Sequence, residues 1–240
     1  MSLRTWVEKT GFTVSKIRQQ PEKPITREDF FNLYFSQVNP KTFYFVQIGA
    51  HNGKYSDPIH SYVTKYRLSG TAVEPQPDVF KQLQETYAGF PVKCVNAAVG
   101  KEDGVRSLYV VKESAITAAN FEQMTGIASF DRAMVERNLT KKIPLGEKPS
   151  EYIDEISVPA VSFESLVQGI EKIDLLQIDT EGYDWEILKM VDIKKYAPRI
   201  INFESTHLSV ADRHECETWL EVNDYRWFRN KGDTCAYLLK

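Results

Sequence analysis

The fold of this chain is decided by the stretch Phe43-Tyr-Phe-Val-Gln-Ile-Gly-Ala-His-Asn-Gly-Lys54. Five of the six positions 43–48 are apolar or aromatic, which predicts a strand buried on both faces. Two glycines and an alanine then predict a tight turn, and a helical pattern covers residues 54–67. A strand, a glycine turn and a helix in this order present backbone N–H groups at the carboxyl edge of a parallel sheet.

A second strand follows in Gly70-Thr-Ala-Val-Glu-Pro75 and ends in the carboxylate of Glu74, about twenty residues after Gly53. An acidic side chain at this place can accept both hydroxyl groups of a ribose. The two strand ends together therefore predict a site for a cofactor that contains a nucleoside.

Size and composition indicate one large globular domain. The chain has 240 residues, 42% of them hydrophobic, and a formal net charge of −3. This charge does not favour broad binding to a nucleic-acid backbone. No apolar run is long enough to span a membrane, and the first residues lack the apolar core of a signal peptide. Three separated cysteines without a Cys-x-x-Cys pair predict reduced thiols, no zinc site and a cytoplasmic location.

The rest of the chain alternates strands with helices, which predicts a parallel α/β sheet with right-handed crossovers. Residues 1–25 suggest a helix or a loose arm, and a helix with a threonine cap begins near Thr26. Residues 92–99 predict a third strand, and we expect residues 107–112 to pair with it as a hairpin after the turn pair Asp103-Gly104.

Residues 113–155 interrupt this alternation and predict an insertion over the carboxyl edge of the sheet. The insertion is locally basic, through Arg132, Arg137, Lys141, Lys142 and Lys148. Two interpretations are open: a solvated loop, which we favour, and a lid that touches an anionic acceptor.

Two later strands again end in carboxylates. Residues 173–179 end at Asp179, shortly before Glu181, and residues 199–204 end at Glu204. Acids crowded at one sheet edge raise one another's pKa, bind a cation or face a cationic ligand. One of them, or His207, can act as a general base on an acceptor hydroxyl, and a divalent ion is a further alternative. The chain closes with two strands joined by the turn Asn230-Lys-Gly-Asp, and such a terminal antiparallel hairpin is typical of methyltransferases.

The glycine spacing selects among nucleoside cofactors. A dinucleotide fingerprint needs Gly-x-Gly-x-x-Gly, but His51 and Lys54 occupy the second and third glycine positions counted from Gly49. The observed Gly-x-x-x-Gly favours a ligand without a pyrophosphate, such as S-adenosylmethionine. A nicotinamide-dependent dehydrogenase is therefore the weaker rival.

Several stretches resemble the FkbM family of S-adenosylmethionine-dependent methyltransferases, from about Phe43 to Glu204. They are Val46-Gln-Ile-Gly-Ala-His-Asn-Gly53, Ala72-Val-Glu-Pro-Gln-Pro-Asp-Val-Phe80, Asn96-Ala-Ala-Val-Gly100, Gly126-Ile-Ala-Ser-Phe130, Val161-Ser-Phe-Glu-Ser-Leu166, Ile173-Asp-Leu-Leu-Gln-Ile-Asp-Thr-Glu-Gly182 and Asn202-Phe-Glu204. The resemblance implies a Rossmann-like class I methyltransferase fold: a mostly parallel seven-stranded sheet with a C-terminal antiparallel hairpin and helices on both faces. It also implies O-methylation of a sugar or small natural product.

The resemblance further implies residue roles: residues 49–53 at the methionine portion, Glu74 at the ribose and Asp179 near the transferred methyl. Our cofactor-binding candidates are Gln47, Gly49, Ala50, His51, Asn52, Gly53, Glu74, Pro75, Asn96, Ala97 and Asp179. Small residues and the Asn96 amide at the end of the third strand suit a purine edge, and we expect His51 to position rather than catalyse. Our catalytic candidates are Asp179, Glu204, His207 and Glu181, with no metal ligand assigned.

One position departs from the family pattern. Such methyltransferases usually have an acid two residues before the first glycine, where this chain has Gln47. An amide can bond the amino group of the cofactor without charge complementarity, so we expect weaker binding. A catalytically silent cofactor-binding module is therefore the second rival. We divide the chain into an N-terminal helical segment, residues 1–40, packed on a methyltransferase domain, residues 41–240.

Overall fold

The computed structural model describes residues 25–239. The helix or arm predicted for residues 1–25 lies outside the described residues, except for its last position. The central strand β1, Tyr44–Ile48, is buried on both faces as predicted, because Val46 and Ile48 pack in one apolar cluster and Phe45 packs in another.

The predicted seven-stranded sheet is confirmed, with strand order β3-β2-β1-β7-β8-β10-β9. The first five of these strands are parallel, and β10 runs antiparallel to both β8 and β9. Their bounds are β1 Tyr44–Ile48, β2 Ser69–Val73, β3 Val92–Val95, β7 Leu175–Ile178, β8 Ile200–Glu204, β9 Tyr225–Asn230 and β10 Asp233–Leu238. The predicted C-terminal hairpin is therefore also present.

Helices cover both faces of this sheet. They are α1 Arg27–Phe35, α2 His60–Tyr66, α3 Pro77–Thr86, α4 Phe121–Thr125, α5 Arg132–Leu139, α6 Phe163–Leu166, α7 Asp184–Met190, α8 Ile193–Tyr196 and α9 Val210–Val222. Phe31 of α1 and Leu83 of α3 pack on one face, and Trp185 of α7 and Leu220 of α9 pack on the other. No helix within residues 25–239 is both long enough and apolar enough to cross a bilayer.

The sheet changes its direction of growth between β1 and β7. The chain moves outward from β1 to β2 and β3, then returns to the opposite side of β1 to form β7 and β8. In open α/β sheets a ligand crevice lies at the carboxyl ends of the two strands that flank this point. Here those ends are Gly49, which follows β1, and Asp179, which follows β7.

The hairpin predicted after the third strand is wrong. β5, Gly104–Val111, does not pair with β3; it pairs antiparallel with the long strand β6, Ile153–Ser162. A short strand β4, Ala98–Gly100, pairs parallel with the other edge of β6, so a second sheet of order β4-β6-β5 forms. The turn pair Asp103-Gly104 does precede a strand, but a partner fifty residues further along the chain outcompetes the local one.

The helix predicted for residues 54–67 is shorter than expected. α2 begins at His60, because the side chain of Asp57 accepts the N–H groups of Ile59 and His60 at 2.7 and 3.0 Å. Asn52 likewise accepts the N–H groups of the second and third residues after it. Side chains therefore hold residues 51–58 in turns, and the first N–H group of α2 is already bonded to Asp57.

The interpretation of residues 113–155 as a solvated loop is wrong. The segment contains α4, α5 and two short 3₁₀ helices, Glu113–Ala115 and Pro149–Tyr152. Its residues Met124, Ile127, Val135 and Leu139 form an apolar cluster with Val111 of β5 and Ile153 of β6. We call residues 113–152 the cap, because several of them line a cavity together with the carboxyl ends of the main sheet.

Candidate active site

A cavity of about 450 Å³ lies between the carboxyl ends of β1, β2 and β7 and the cap. Its size is in the range of small-molecule sites. The sheet side is lined by Ile48, Gly49, His51, Tyr55, Ser56, Glu74, Pro75, Gln76, Asp179, Thr180, Glu181, Tyr183 and His207. The small sheet and the cap contribute Ala98, Val99, Leu108, Glu122, Gln123, Thr125, Gly126, Ile127, Ala128, Ser129, Phe130, Asn138, Lys141 and Lys142.

The turn after β1 brings the strand ends into close contact. Gly49 has a φ of +78°, and a Cβ at this position would lie 1.6 Å from the carbonyl oxygen of Asp179. The N–H groups of Gly49 and Ala50 both donate to the carbonyl oxygen of Val73, at 3.0 and 2.9 Å. The glycine is therefore required by the approach of two backbones, and these two N–H groups are not available to a ligand.

Glu74 is almost completely buried and lines the cavity beside this turn. Its carboxylate accepts the N–H of His51 at 3.0 Å and the N–H of Gln76 at 2.9 Å. Burial raises the pKa of Glu74 to about 7, because these hydrogen bonds offset only part of the cost of desolvating the charge. The carboxyl is thus held in place at the end of β2 with lone pairs remaining for a hydroxyl donor.

His51 connects the turn to the cap. Its Nε2 lies 2.7 Å from the hydroxyl of Thr125, and that hydroxyl donates to the carbonyl oxygen of Phe121 at 2.7 Å. His51 must therefore donate from Nε2, which leaves Nδ1 as an acceptor. This Nδ1 is buried and has no partner among the described residues, and burial lowers the pKa of His51.

Gln47 does not line the cavity. Its side-chain amide donates to the carboxyl of Asp57 at 3.0 Å. Desolvation raises the pKa of that carboxyl, and the bond from Gln47 lowers it in part. The departure from the family pattern thus has a local role, because the amide helps to hold the residue that caps α2.

Asp179 follows β7 directly, is exposed to solvent and lines the cavity. Its pKa is raised well above the ordinary value by burial first, and then by the nearby carboxyls of Asp184 and Glu181. A carboxyl in these conditions favours a proton or a cation close to it.

Three further titratable side chains meet next to Asp179. Nε2 of His207 lies 3.2 Å from Oε2 of Glu181 and 3.4 Å from Oε1 of Glu204. Burial, together with Asp179 and Glu181, raises the pKa of Glu204 to about 8, and the hydrogen bond to Glu181 raises the pKa of His207. The strands that end at Asp179 and Glu204 are neighbours, as expected from the sequence, because β7 pairs with β8.

A buried carboxyl supports the turn that carries Glu181. Oδ2 of Asp184 accepts the hydroxyl of Thr180 at 3.0 Å and, at 3.4 Å each, the N–H groups of Thr180 and Gly182. This support holds Glu181 at a φ of 51° and Gly182 at a φ of 104°. Asp184 was not among the candidates from the sequence, although it lies only two residues after the Ile-Asp-Thr-Glu-Gly stretch.

The structure separates the predicted cofactor residues into two groups. Gly49, His51, Glu74, Pro75 and Asp179 line the cavity, as do the catalytic candidates Glu181 and His207. The lining does not include Gln47, Ala50, Asn52, Gly53, Asn96, Ala97 or Glu204.

Two of the residues outside the lining have other contacts. The Asn96 amide donates to the carbonyl oxygens of Glu74 and Pro75, at 2.8 and 3.0 Å, so both its donors hold the loop after β2. A Cβ on Gly53 would meet Leu83 and Tyr87 at 2.9 Å, so this glycine allows close packing against the end of α3.

The cap contributes residues that sequence reasoning did not select, such as Gln123, Thr125 and Phe130. Among these cap residues, the sequence pointed only to the stretch Gly126–Phe130, which is part of the family resemblance. Phe130 packs edge-to-face on Tyr183, and the guanidinium of Arg106 lies 4.1 Å from the ring centre of Phe130.

Comparison with solved structures gives distant likenesses. The methyltransferase FkbM from Methylobacillus flagellatus KT is 15% identical with a TM-score of 0.48; the match covers 85% of this chain and 47% of that one. This chain thus spans about half the length of that relative. A precorrin-6y C5,15-methyltransferase from Geobacter metallireducens GS-15 is 13% identical with a TM-score of 0.42, over 91% and 93% of the two chains. The Methanococcus jannaschii fibrillarin pre-rRNA processing protein is 10% identical with a TM-score of 0.41, over 84% and 70%.

Curated proteins give no match to this chain. The family comparison is more informative, because residues 47–227 match the family described as the methyltransferase FkbM domain. The match covers far more than half of the chain and contains the end of β1, the cap and the carboxylates at the ends of β2, β7 and β8. The family implies S-adenosylmethionine as the methyl donor, and the chain belongs to the FkbM methyltransferase family.

Proposed function

We propose that the cavity binds S-adenosylmethionine and that the protein transfers its methyl group to a hydroxyl oxygen of a saccharide or other small molecule. One observation carries the proposal: the carboxyls of Glu74 and Asp179 line a single cavity on either side of the β1 turn, at the point where the sheet changes direction. Ligands of open α/β sheets bind at this point.

The residues present fit this donor. Glu74 would hold the ribose hydroxyls, because its carboxylate accepts hydrogen bonds and is fixed by two backbone N–H groups. Apolar side chains suited to an adenine ring line the same cavity, among them Ile48, Val99 and Ile127. The donor supplies a methyl group on a positively charged sulfur, and the Asp179 carboxyl is a suitable neighbour for such a charge.

We propose Asp179 as the general base for the acceptor hydroxyl. Asp179 and His207 both line the cavity, whereas Glu204 does not. Nε2 of His207 already faces two carboxylates, which leaves Asp179 better placed to accept a proton. Burial and the neighbouring carboxyls raise the pKa of Asp179, which makes it a stronger base, and the alignment of acceptor and donor would supply much of the rate.

Calorimetric titration with S-adenosylhomocysteine tests the cofactor site. We expect Glu74→Gln to weaken binding at least about tenfold, because the amide presents a donor where the ribose needs an acceptor. Glu85→Gln is the matched control, since Glu85 lies exposed on α3. Unchanged affinity in the Glu74 variant, or no binding by the unaltered protein, contradicts the proposal.

Transfer of a labelled methyl group to a panel of sugars and phenols tests the reaction. We expect an alkali-stable methyl ether from the unaltered protein and a loss of at least about a hundredfold in turnover for Asp179→Asn. The control is Asp78→Asn, which changes an exposed acid on α3. If Asp179→Asn retains full turnover, its assignment as the base is wrong.

A catalytically silent cofactor-binding module is the second candidate. The amide of Gln47 is engaged by Asp57, so no charged side chain stands at the position where related enzymes have an acid. Binding of the cofactor without methylation of any acceptor would favour this candidate. Enhanced NADH fluorescence would instead favour a dehydrogenase.

We also propose a small-molecule acceptor rather than a nucleic acid, in keeping with the net charge of −3. A cytoplasmic location is supported by the three free thiols of Cys94, Cys216 and Cys235. A fractionation assay of the native protein tests this location.

A further inference from the structure

We propose that Glu181, Glu204 and His207 form a binding site for a divalent first-row transition-metal ion at the acceptor side of the cavity. The three residues follow two different strands, β7 and β8, and each offers one ligand atom. These atoms all lie within 4.8 Å of one another.

Two of the three distances between the proposed ligand atoms match those between ligands of one ion. A metal with bonds of about 2.1 Å and angles of about 90–110° holds its ligand atoms roughly 3.0–3.4 Å apart. Nε2 of His207 lies 3.2 Å from Oε2 of Glu181 and 3.4 Å from Oε1 of Glu204. The third pair of atoms, on Glu181 and Glu204, lies within 4.8 Å, so rotation of these side chains can bring all three ligands around one ion.

The hydrogen bonds among Glu181, Glu204 and His207 do not give every polar atom of the three side chains a partner. The Nε2 atom of His207 carries at most one proton, yet it faces two carboxylates. Oε2 of Glu204 is fully buried and has no hydrogen-bond partner among the described residues. Within residues 25–239, no lysine or arginine side chain forms an ion pair with Glu181 or Glu204. A bound cation would give Oε2 of Glu204 a partner and would serve both carboxylates at once, which a single Nε2–H of His207 cannot do.

The surrounding residues hold Glu181 in position, as second partners of metal ligands commonly do. The Asn138 amide donates to its Oε2 at 3.0 Å, and the Ser129 hydroxyl donates to its carbonyl oxygen at 2.9 Å. The Asp184 carboxylate holds the same turn by accepting a hydrogen bond from the Thr180 hydroxyl. Asn138 and Ser129, both in the cap, therefore bond the same proposed metal ligand, Glu181.

The ligand types select the class of ion. Mg²⁺ and Ca²⁺ prefer sites made only of oxygen, whereas an imidazole with two carboxylates suits Zn²⁺, Mn²⁺ or Fe²⁺. Three protein ligands leave coordination positions free, and Glu181 and His207 line the cavity. If the proposed function holds, an ion here would lower the pKa of an acceptor hydroxyl close to Asp179.

Titration calorimetry with ZnCl₂ on the chelator-treated full chain tests the site without donor or acceptor. We expect one equivalent of Zn²⁺ to bind, and at least about tenfold weaker binding in His207→Ala and in Glu204→Gln. His214→Ala is the matched control, because His214 is exposed on α9. Glu204→Gln keeps the side-chain shape, and circular dichroism verifies the fold of each variant.

Co²⁺ absorption separates this site from the cysteines, because thiolate ligands add a charge-transfer band that nitrogen and oxygen ligands do not. The proposal is overturned if the unaltered protein binds no stoichiometric Zn²⁺, if both variants bind as it does, or if the thiolate band appears. Titration with S-adenosylhomocysteine in parallel keeps the two proposals distinct. Cofactor binding without Zn²⁺ binding overturns only the metal site, and the reverse result contradicts only the proposed function.

Discussion

Glu74 is deeply buried, although a charged carboxylate suits its proposed role at the ribose. This burial makes the stability of the protein depend on pH. The pKa of Glu74 is about 7 in the folded protein, against an ordinary value of 4.5. The folded state therefore keeps a proton that the unfolded chain loses between these values. Ionisation of Glu74 thus lowers the free energy of unfolding as the pH rises from 4.5 to 7, by up to about 3 kcal/mol.

We predict that Glu74→Gln removes this part of the pH dependence. Urea unfolding at pH 5 and pH 8 measures it, with Glu85→Gln as the control. The loss of stability between the two pH values should be smaller in the Glu74 variant by about 2–3 kcal/mol than in the control. Other buried acids contribute equally to both proteins, so equal losses would refute the raised pKa.

Gly49 offers a second test at the scale of one residue. Alanine at this position would place its Cβ against the carbonyl oxygen of Asp179, in addition to the strain of a φ of +78°. Gly89 has the same φ of +78°, and a methyl group added there would meet nothing within 4 Å, so it isolates the collision. We predict that Gly49→Ala costs about 3 kcal/mol or more in urea unfolding and Gly89→Ala only about 1 kcal/mol. Equal costs would mean that the two strand ends can separate freely.

At the scale of elements, the cap is attached to the sheet by few polar contacts. The Thr125 hydroxyl at the end of α4 accepts from His51, and the Thr125 carbonyl oxygen accepts from the Gln76 amide at 2.8 Å. Removing the hydroxyl leaves the Nε2–H of His51 without a partner. We therefore expect Thr125 to contribute more to the stability of the folded protein than the exposed threonines of the cap do.

We predict that Thr125→Val lowers the free energy of unfolding by about 1–2 kcal/mol, the cost of an unsatisfied buried donor. Thr140→Val is the matched control, because its hydroxyl donates only to the carbonyl oxygen of Glu136 one turn earlier and is exposed. The control should change by less than about 0.5 kcal/mol. Urea denaturation measures both, and a control variant that loses as much as Thr125→Val contradicts the anchoring role.

At the scale of the whole molecule, a ligand that bridges cap and sheet should stabilise the protein. S-adenosylhomocysteine at a hundred times its dissociation constant adds about 2.7 kcal/mol. For a chain of this length we predict a rise of roughly 5–10 °C in the midpoint of thermal unfolding. A thermal shift assay measures it, and the same concentration should raise the midpoint of Glu74→Gln by about half as much or less. An equal rise in both proteins would indicate binding elsewhere.

The main sheet could be predicted from the sequence because its strands are short buried runs that alternate with helices. The carboxylates at the ends of β2, β7 and β8 followed from the same pattern, since parallel strands end at one edge. The sheet β4-β6-β5 could not be predicted, because local turn signals do not reveal a partner fifty residues away. The helices of the cap are also too short, at five and eight residues, for a clear periodicity.

Within the site, residue types were easier to predict than contacts. Glu74 and Asp179 do line the cavity, but the amides of Asn96 and Gln47 are taken up by the loop after β2 and by Asp57. A sequence shows that an amide lies near a strand end and does not show which of several neighbours it binds. Cap residues such as Thr125 reach the cavity through tertiary packing alone.

The contact between Gly49 and the Asp179 carbonyl has a consequence for redesign. Because the two backbones touch, the spacing between the sites proposed for the ribose and for proton removal is set by the sheet and cannot be adjusted by side-chain choice. A variant with a wider acceptor range must therefore be sought by diversifying residues 121–142, while the rim of the sheet is left unaltered.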